Sequence, residues 1–385
     1  MRLARRTLLA SMMATVAAPA VLRLARADAP AVMFKLHHYF SSVSGGHERF
    51  LAPWARKVEA ESAGRIRIDI FPSMQLGGAP AQLLDQARDG LADIVWAVPS
   101  STPGRFAKIE AFELPFVLSR RALVNSRAIE DYAASNLQDE FREIHPICFS
   151  CRDHGVVHAS RTVKSIENLK GLRLHVPNRL AGHAIDGCLD PWDVLPGLKL
   201  LDALKNHTDF AESGLSTATF VLAMNKAAYE RLPRDLKAVI DSNAGQAAAG
   251  MAGAMWDLEA KAVTDMVRDR GDPITMLTAE EVAHWRKATE PVIVAWQKQM
   301  KERKLDGGKL IATVQALLAK YAGEPELQPS QPQPAEQKVV AEPQQSPQAK
   351  AEVTVRPKAD APAAAPVVKP APAAATVPKE LDIPL

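Results

Sequence analysis

The feature that most constrains this chain is a regular alternation of patterns between Met33 and Val98. Met33 to Phe40 suits a strand. Gly45 and Gly46 then give way to a helix from about His47 to Ser62, where Phe50, Leu51, Trp54, Ala55 and Val58 recur at helical spacing and Gly64 sits just past the end. Arg65 to Phe71 alternates with Ile66, Ile68 and Ile70 on one face, the two-residue period of a strand. Pro80 opens a helix over Ala81 to Arg88, Gly90 closes it, and Ala92 to Val98 is an apolar strand. Strand, helix, strand, helix, strand implies a largely parallel sheet with helical crossovers, an α/β fold.

Further strands are expected at Ile144 to Phe149, Gly155 to His158, Gly171 to Val176 and Thr219 to Met224. A long helical stretch is expected from Pro233 to Val263, with helices at Ala279 to Lys301 and Gly308 to Lys320. Both ends of the chain fall outside this pattern. Met1 to Ala27 reads as an export signal: Arg2, Arg5 and Arg6 precede an apolar stretch from Thr7 to Leu22, and Ala25-Arg26-Ala27 has the form of a cleavage site. The Arg5-Arg6 pair leaves both twin-arginine and general secretory export open. From Gly323 to Leu385, 13 of 63 residues are Pro and none is aromatic. Such a segment buries too little apolar surface to offset its chain entropy, so residues 323–385 are expected to form a disordered tail.

The 385 residues carry 47 basic and 44 acidic side chains, but five of the arginines lie in the signal, and the remainder is slightly acidic. Nothing in that balance suggests a nucleic-acid-binding face. No later stretch is long and apolar enough to span a bilayer. Cys148 and Cys151 have C-x-x-C spacing, but they lie in an extended apolar run, where positions i and i+3 face opposite ways. With Cys188 they read as buried small hydrophobes. His37 and His38 are adjacent on a strand and point apart, which disfavours a shared metal. No G-x-S-x-G elbow, H-E-x-x-H pair or G-K-[ST] phosphate loop is present, and Ser41, Ser42 and Ser44 near His47 read as turn chemistry. No enzyme, cofactor or metal is expected.

Several segments carry a more specific signal. Residues 71–78 read FPSMQLGG, 86–93 QARDGLAD, 103–106 PGRF and 112–116 FELPF. Then come NLKGLR at 168–173, IDG at 185–187, PWDV at 191–194, FVLAMNK at 220–226 and LPRDL at 232–236. In order and spacing these resemble the extracytoplasmic solute receptors of TRAP transporters, the DctP-type family, from Phe34 to about Ala322. The resemblance implies a two-lobed periplasmic-binding-protein-like fold with hinge strands and a long lobe-spanning helix. Lobe I would hold residues 28–152 with roughly 217–255, and lobe II residues 153–216 with roughly 256–322. It also implies a periplasmic receptor that binds a small organic acid and delivers that anion to the membrane permease subunits, without catalysis.

Candidate ligand contacts follow from both arguments. Gln75, Trp96 and Arg105 lie at strand ends or in loops after strands, where open α/β sheets place ligands. Arg105 is the candidate cation of the first lobe, and Trp96 fits the core better than the cleft wall. Phe40, Ser41, Asp190, Trp192 and Phe220 complete the set, with Arg173 and His175 on the strand after Lys170-Gly171-Leu172. Two departures from the family pattern stand out. His175 occupies the place of the family's carboxylate-binding arginine, so one hydrogen bond replaces a permanent two-pronged charge. Between Pro177 and Ile185 the chain is shorter than the family pattern by about 17 residues or more, the length of a helix plus a strand. That gap raises an alternative: a non-transporting or degenerate paralogue that senses a ligand or binds nothing.

Overall fold

The computed structural model describes residues 32–175, 185–211 and 213–325. The expected signal, the tail beyond 325, the shortened segment at 176–184 and the side chain of His175 lie outside what it describes.

The chain runs β1 (Val32–His38), α1 (Ala52–Glu61), β2 (Ile66–Phe71), α2 (Leu83–Asp89), β3 (Ile94–Ala97), α3 (Ala122–Asn136), β4 (Ile144–Cys151), β5 (Val156–Ala159) and β6 (Leu174–His175). It continues through β7 (Gly187–Asp190), α4 (Val194–Gly197), β8 (Asn206–Asp209), β9 (Thr219–Asn225), α5 (Lys226–Glu230), α6 (Arg234–Ser242), α7 (Gly245–Asp269), β10 (Ile274–Met276), α8 (Ala279–Glu302) and α9 (Gly307–Tyr321). Two five-stranded sheets result, ordered β2-β1-β3-β9-β4 and β10-β8-β5-β7-β6.

The first sheet is parallel only where the alternating pattern is read. β1 pairs in parallel with β2 and β3, but β9 runs antiparallel to both β3 and β4. The expected largely parallel sheet is therefore mixed, because β9 returns from the second lobe rather than through a crossover helix. In the second sheet β8–β10 and β6–β7 are parallel, while β5 is antiparallel to both β7 and β8.

Trp96 is fully buried at the centre of the first lobe. Its ring lies 4.8 Å from that of Phe220, 5.0 Å from Phe40, 5.6 Å from Phe50 and 5.8 Å from Trp256. This packing fixes the start of the first helix. The expected helix from His47 opens as a π-helical stretch, Gly46–Leu51, and a Cβ on Gly46 would stand 2.6 Å from the Trp96 ring.

The expected helix from Pro233 to Val263 is two helices, α6 and α7. They break at Asn243, whose carbonyl accepts from the Trp54 indole N–H at 2.8 Å and whose side chain is held by Lys57 and Glu61 of α1. Residues Trp296, Met300, Leu310 and Val314, assigned from sequence to the second lobe, pack into the core of the first.

Cys148 and Cys151 are unpaired and buried, and they face different cores on opposite sides of β4. Cys188 is likewise unpaired and buried in the second lobe.

Candidate functional site

The two sheets meet where the chain crosses between them twice. Arg152 to Gly155 leaves β4 for β5, and Leu215 to Ala218 returns toward β9. The crossings are stitched together by Arg152 N–H to the Ala218 carbonyl at 3.0 Å and Gly155 N–H to the Ser216 carbonyl at 2.7 Å. Thr217 adds a hydroxyl bond to the Arg152 carbonyl at 2.8 Å.

Beside these crossings lies a cavity of about 270 Å³. Tyr39, Pro80, Val98 and Phe220 wall it from the first lobe, and Leu189, Asp190 and Pro191 from the second. Ser100, Ser101, Glu113, Ser216 and Thr217 supply polar groups, and Arg152 is the one lysine or arginine lining it among the described residues.

Arg152 is held from both sides. Its guanidinium donates through Nε to Asp193 Oδ1 at 2.9 Å and through Nη2 to Asp193 Oδ2, and it stands 4.9 Å from the centre of the Trp256 ring. Burial works against its charge, but Asp193, then Asp153 and Tyr39, hold its pKa above the ordinary arginine value. The pairing engages Nε and Nη2 and leaves Nη1 without a bond to any described residue. One edge of the cation is therefore fixed by protein and the other is available to an anion.

Burial raises the Asp153 carboxyl well above the ordinary range, with Asp193 adding to the effect, and Asp153 Oδ2 accepts from the Trp192 backbone N–H at 3.3 Å. Glu113 is also raised by burial, although Thr219 donates to its Oε1 from Oγ1 at 2.6 Å and from N–H at 3.0 Å.

A second cavity, of about 570 Å³, opens behind the crossings. Asp209 stands at its wall, accepting from His154 Nε2 at 2.7 Å and from Arg120 at 2.6 Å. Burial opposes the Asp209 charge, but His154 and Arg120 keep its pKa below the usual carboxylate value. This trio ties the loop before α3 to the end of β8 across the crossing strand.

Of the residues singled out from sequence, Asp190 and Phe220 line the first cavity. Trp192 is buried next to it, against His158 at 5.0 Å, and faces the second cavity. Phe40 stacks on Tyr39 at 4.2 Å, one layer behind the wall, and Trp96 lies wholly in the core. Ser41 and Gln75 are exposed on turns outside the lining. Arg105 pairs with Asp85 at 2.7 Å on the surface of the first lobe, and Arg173 is exposed and paired with Asp186 at 2.8 and 3.0 Å. Neither arginine reaches the lining. The sequence reading passed over Arg152, Glu113 and Tyr39. Arg152 did carry a signal: a cation directly after a buried apolar strand, at the point where the chain changes lobes.

The family model for bacterial extracellular solute-binding protein, family 7 (DctP), matches residues 37–183 and 178–299. The chain belongs to the DctP family. The two matched pieces meet at 178–183, within the segment where the sequence runs short of the family pattern. A TRAP solute-binding protein of Rhodoferax ferrireducens T118, solved with copurified benzoate, is 34% identical with a TM-score of 0.70, covering 75% of this chain and 98% of its own. A marine metagenome TRAP solute-binding protein specific for aromatic acid ligands, solved with 3-hydroxybenzoate, is 35% identical with a TM-score of 0.72, covering 76% and 99%. Among curated proteins, the outer membrane transporter protein TsaT of Comamonas testosteroni is 24% identical over 286 residues, 66% of this chain and 82% of its own. DctP receptors of this kind serve organic acid transport. Among the described residues of this chain no helix is long and apolar enough to cross a membrane.

Proposed function

We propose that this chain is a periplasmic receptor that captures a small, single-ring aromatic carboxylate and delivers it to a TRAP-type membrane permease. The observation that carries the reading is Arg152. It is the one cation lining the cavity among the described residues, fixed along one edge by Asp193 and beside apolar and aromatic walls from both lobes. A carboxylate on Nη1 would place its ring among Tyr39, Val98, Leu189 and Phe220. The cavity, at about 270 Å³, falls just below the ~300–1,000 Å³ of pockets for drug-sized ligands, which suits one ring and its acid group. The aromatic acids held by the Rhodoferax ferrireducens and marine metagenome proteins, each above 30% identity, support the same class. With Arg152 as anchor, the arginine that His175 replaces is not required for charge. The signal-like segment at residues 1–27 supports export.

A second reading, a degenerate or sensory paralogue, is favoured by the break in the family match at 178–183. Thermal unfolding of the full chain against benzoate and a panel of aliphatic acids separates the two. A ligand at a hundred times its dissociation constant adds about 2.7 kcal/mol. A raised midpoint with an aromatic acid, lost in Arg152→Ala, supports the receptor. A sharp transition that no acid moves supports the paralogue.

A further inference from the structure

We propose that the Tyr39 hydroxyl is the second donor to the ligand's carboxylate, one carboxylate oxygen resting on Nη1 of Arg152 and the other on Tyr39. The inference rests on the receptor reading above and adds the residue that orients its acid group.

It begins from the four tyrosines of the chain. Three of their hydroxyls have partners within the protein. Tyr132 donates to the Lys108 carbonyl at 3.0 Å, Tyr229 to Asp241 at 2.7 Å and Tyr321 to Asp131 at 2.7 Å. The fourth, Tyr39, lines the cavity, and its hydroxyl bonds to no described residue. A tyrosine O–H drawn into a fold ordinarily finds a partner. One that faces a binding cavity without a protein partner is a donor available to whatever enters.

The ring is set in place before a ligand arrives. Tyr39 follows β1 directly, and the backbone on either side of it is pinned: the Met74 N–H donates to the His38 carbonyl at 3.1 Å and the Ser73 N–H to the Phe40 carbonyl at 2.8 Å. The Tyr39 ring stacks on Phe40 at 4.2 Å, and Phe40 packs against Trp256 at 6.0 Å. The Arg152 guanidinium stands on the same Trp256 ring at 4.9 Å. Tyrosine and arginine thus share one aromatic support and line one cavity, each with a donor that no described residue occupies.

The pair suits an anion. Burial raises the Tyr39 pKa, with Arg152 opposing and Asp193 adding to the effect. The phenol therefore keeps its proton at neutral pH and can donate it. Asp193 already balances the charge of Arg152, so a neutral donor strengthens anion binding without a second buried cation. A carboxylate held by Nη1 alone would be free to pivot, whereas two donors from separate elements fix its plane. The two-pronged grip that one arginine can give is here divided between two side chains.

Isothermal titration of the full chain with benzoate tests this, for the parent and for Tyr39→Phe, which keeps the ring. The expected result is binding at least about tenfold weaker in the variant, the worth of one bond to a charged acceptor, with the unliganded unfolding midpoint unchanged. In protein isotope-labelled at the tyrosine Cζ, benzoate should also move the Tyr39 resonance in NMR, the one absent from Tyr39→Phe. Affinity within about twofold of the parent would overturn the inference and leave the receptor reading standing. Weaker binding with a Tyr39 resonance that benzoate does not move would overturn the direct contact. Should Tyr39→Phe fail to fold, the labelled parent still decides. Tyr39 is the one tyrosine lining the cavity among the described residues, so movement of a single resonance supports the clamp and movement of none overturns it. If the parent does not bind benzoate, both readings fall together.

Discussion

The two sheets of this protein are of equal strand number but are built from different material. In the first, β3 (IVWA) and β9 (TFVLAMN) are buried along their whole length, and the sheet is sandwiched between two large apolar cores. In the second, β5 (VVHA), β7 (GCLD) and β8 (NHTD) carry His158, Asp190, His207, Thr208 and Asp209 in buried positions, against two small apolar clusters. The first lobe holds together by excluding water from hydrocarbon. The second depends on satisfying polar groups inside: His158 meets His207 at 2.8 Å, Thr208 donates to the Val163 carbonyl at 2.6 Å, and Asp209 takes His154 and Arg120. Apolar burial tolerates approximate geometry, whereas buried polar groups destabilise the fold when a partner is missing. The second lobe is therefore the one more exposed to changes of pH and of single partners.

That contrast can be challenged in four ways. The largest effect is expected from Trp96→Ala, which removes the ring against which Phe40, Phe50, Phe220 and Trp256 pack; about 3–5 kcal/mol should be lost in urea unfolding. A loss below about 1 kcal/mol would show that the first lobe does not rest on this cluster. Next, Asp193→Asn leaves the Arg152 guanidinium largely buried without its carboxylate, and about 3 kcal/mol should be lost. If a carboxylate ligand restores part of that midpoint, the ligand and Asp193 serve the same cation.

Asp257→Asn is expected to cost about 1–2 kcal/mol. Its carboxylate, projecting from α7, accepts the N–H groups of Ala122 at 2.6 Å and Leu123 at 3.2 Å at the start of α3. Fraying confined to the first turn of α3 in hydrogen exchange would confirm the cap.

The smallest and most selective test is pH. Burial, and then His207, lowers the His158 pKa to about 3, and burial lowers His207 to about 4. Unfolded, both bind a proton near pH 6.5. Their folded values lie below the unfolded ones, so their contribution is full above that pH and is lost as pH falls toward about 4. In the first lobe burial lowers His38, to about 3 with His47 adding to the effect, and also lowers His47 and His145, but none of the three lies on β3 or β9. Hydrogen exchange at pH 7 and pH 5, corrected for intrinsic rates, should show β5 and β8 losing protection before β3 and β9. The reverse order would break the comparison.

Local pattern determined the α/β class and nearly every element of the first sheet. There the side-chain period reports burial directly, as at Ile66, Ile68 and Ile70, and a strand such as β9 that is buried on both faces can only be an apolar run. The unpaired, oppositely facing Cys148 and Cys151 followed from strand geometry alone. What pattern could not supply was anything stabilised by a partner distant in sequence. α3 begins at Arg121 with no capping side chain of its own, because its cap is Asp257, and Gly253 lets α7 approach so closely that a Cβ there would stand 2.7 Å from the Leu123 backbone. β8 carries too many polar residues to read as a strand until His207 meets His158 of β5 and Asp209 takes His154 and Arg120. The same holds for the cavity. Arg105 and Arg173 look as available as Arg152 in one dimension, yet each is paired on the surface, while Arg152 sits where two crossing strands and Asp193 converge. A charge becomes a binding site only when the fold removes it from water, and that depends on residues far from it in the chain.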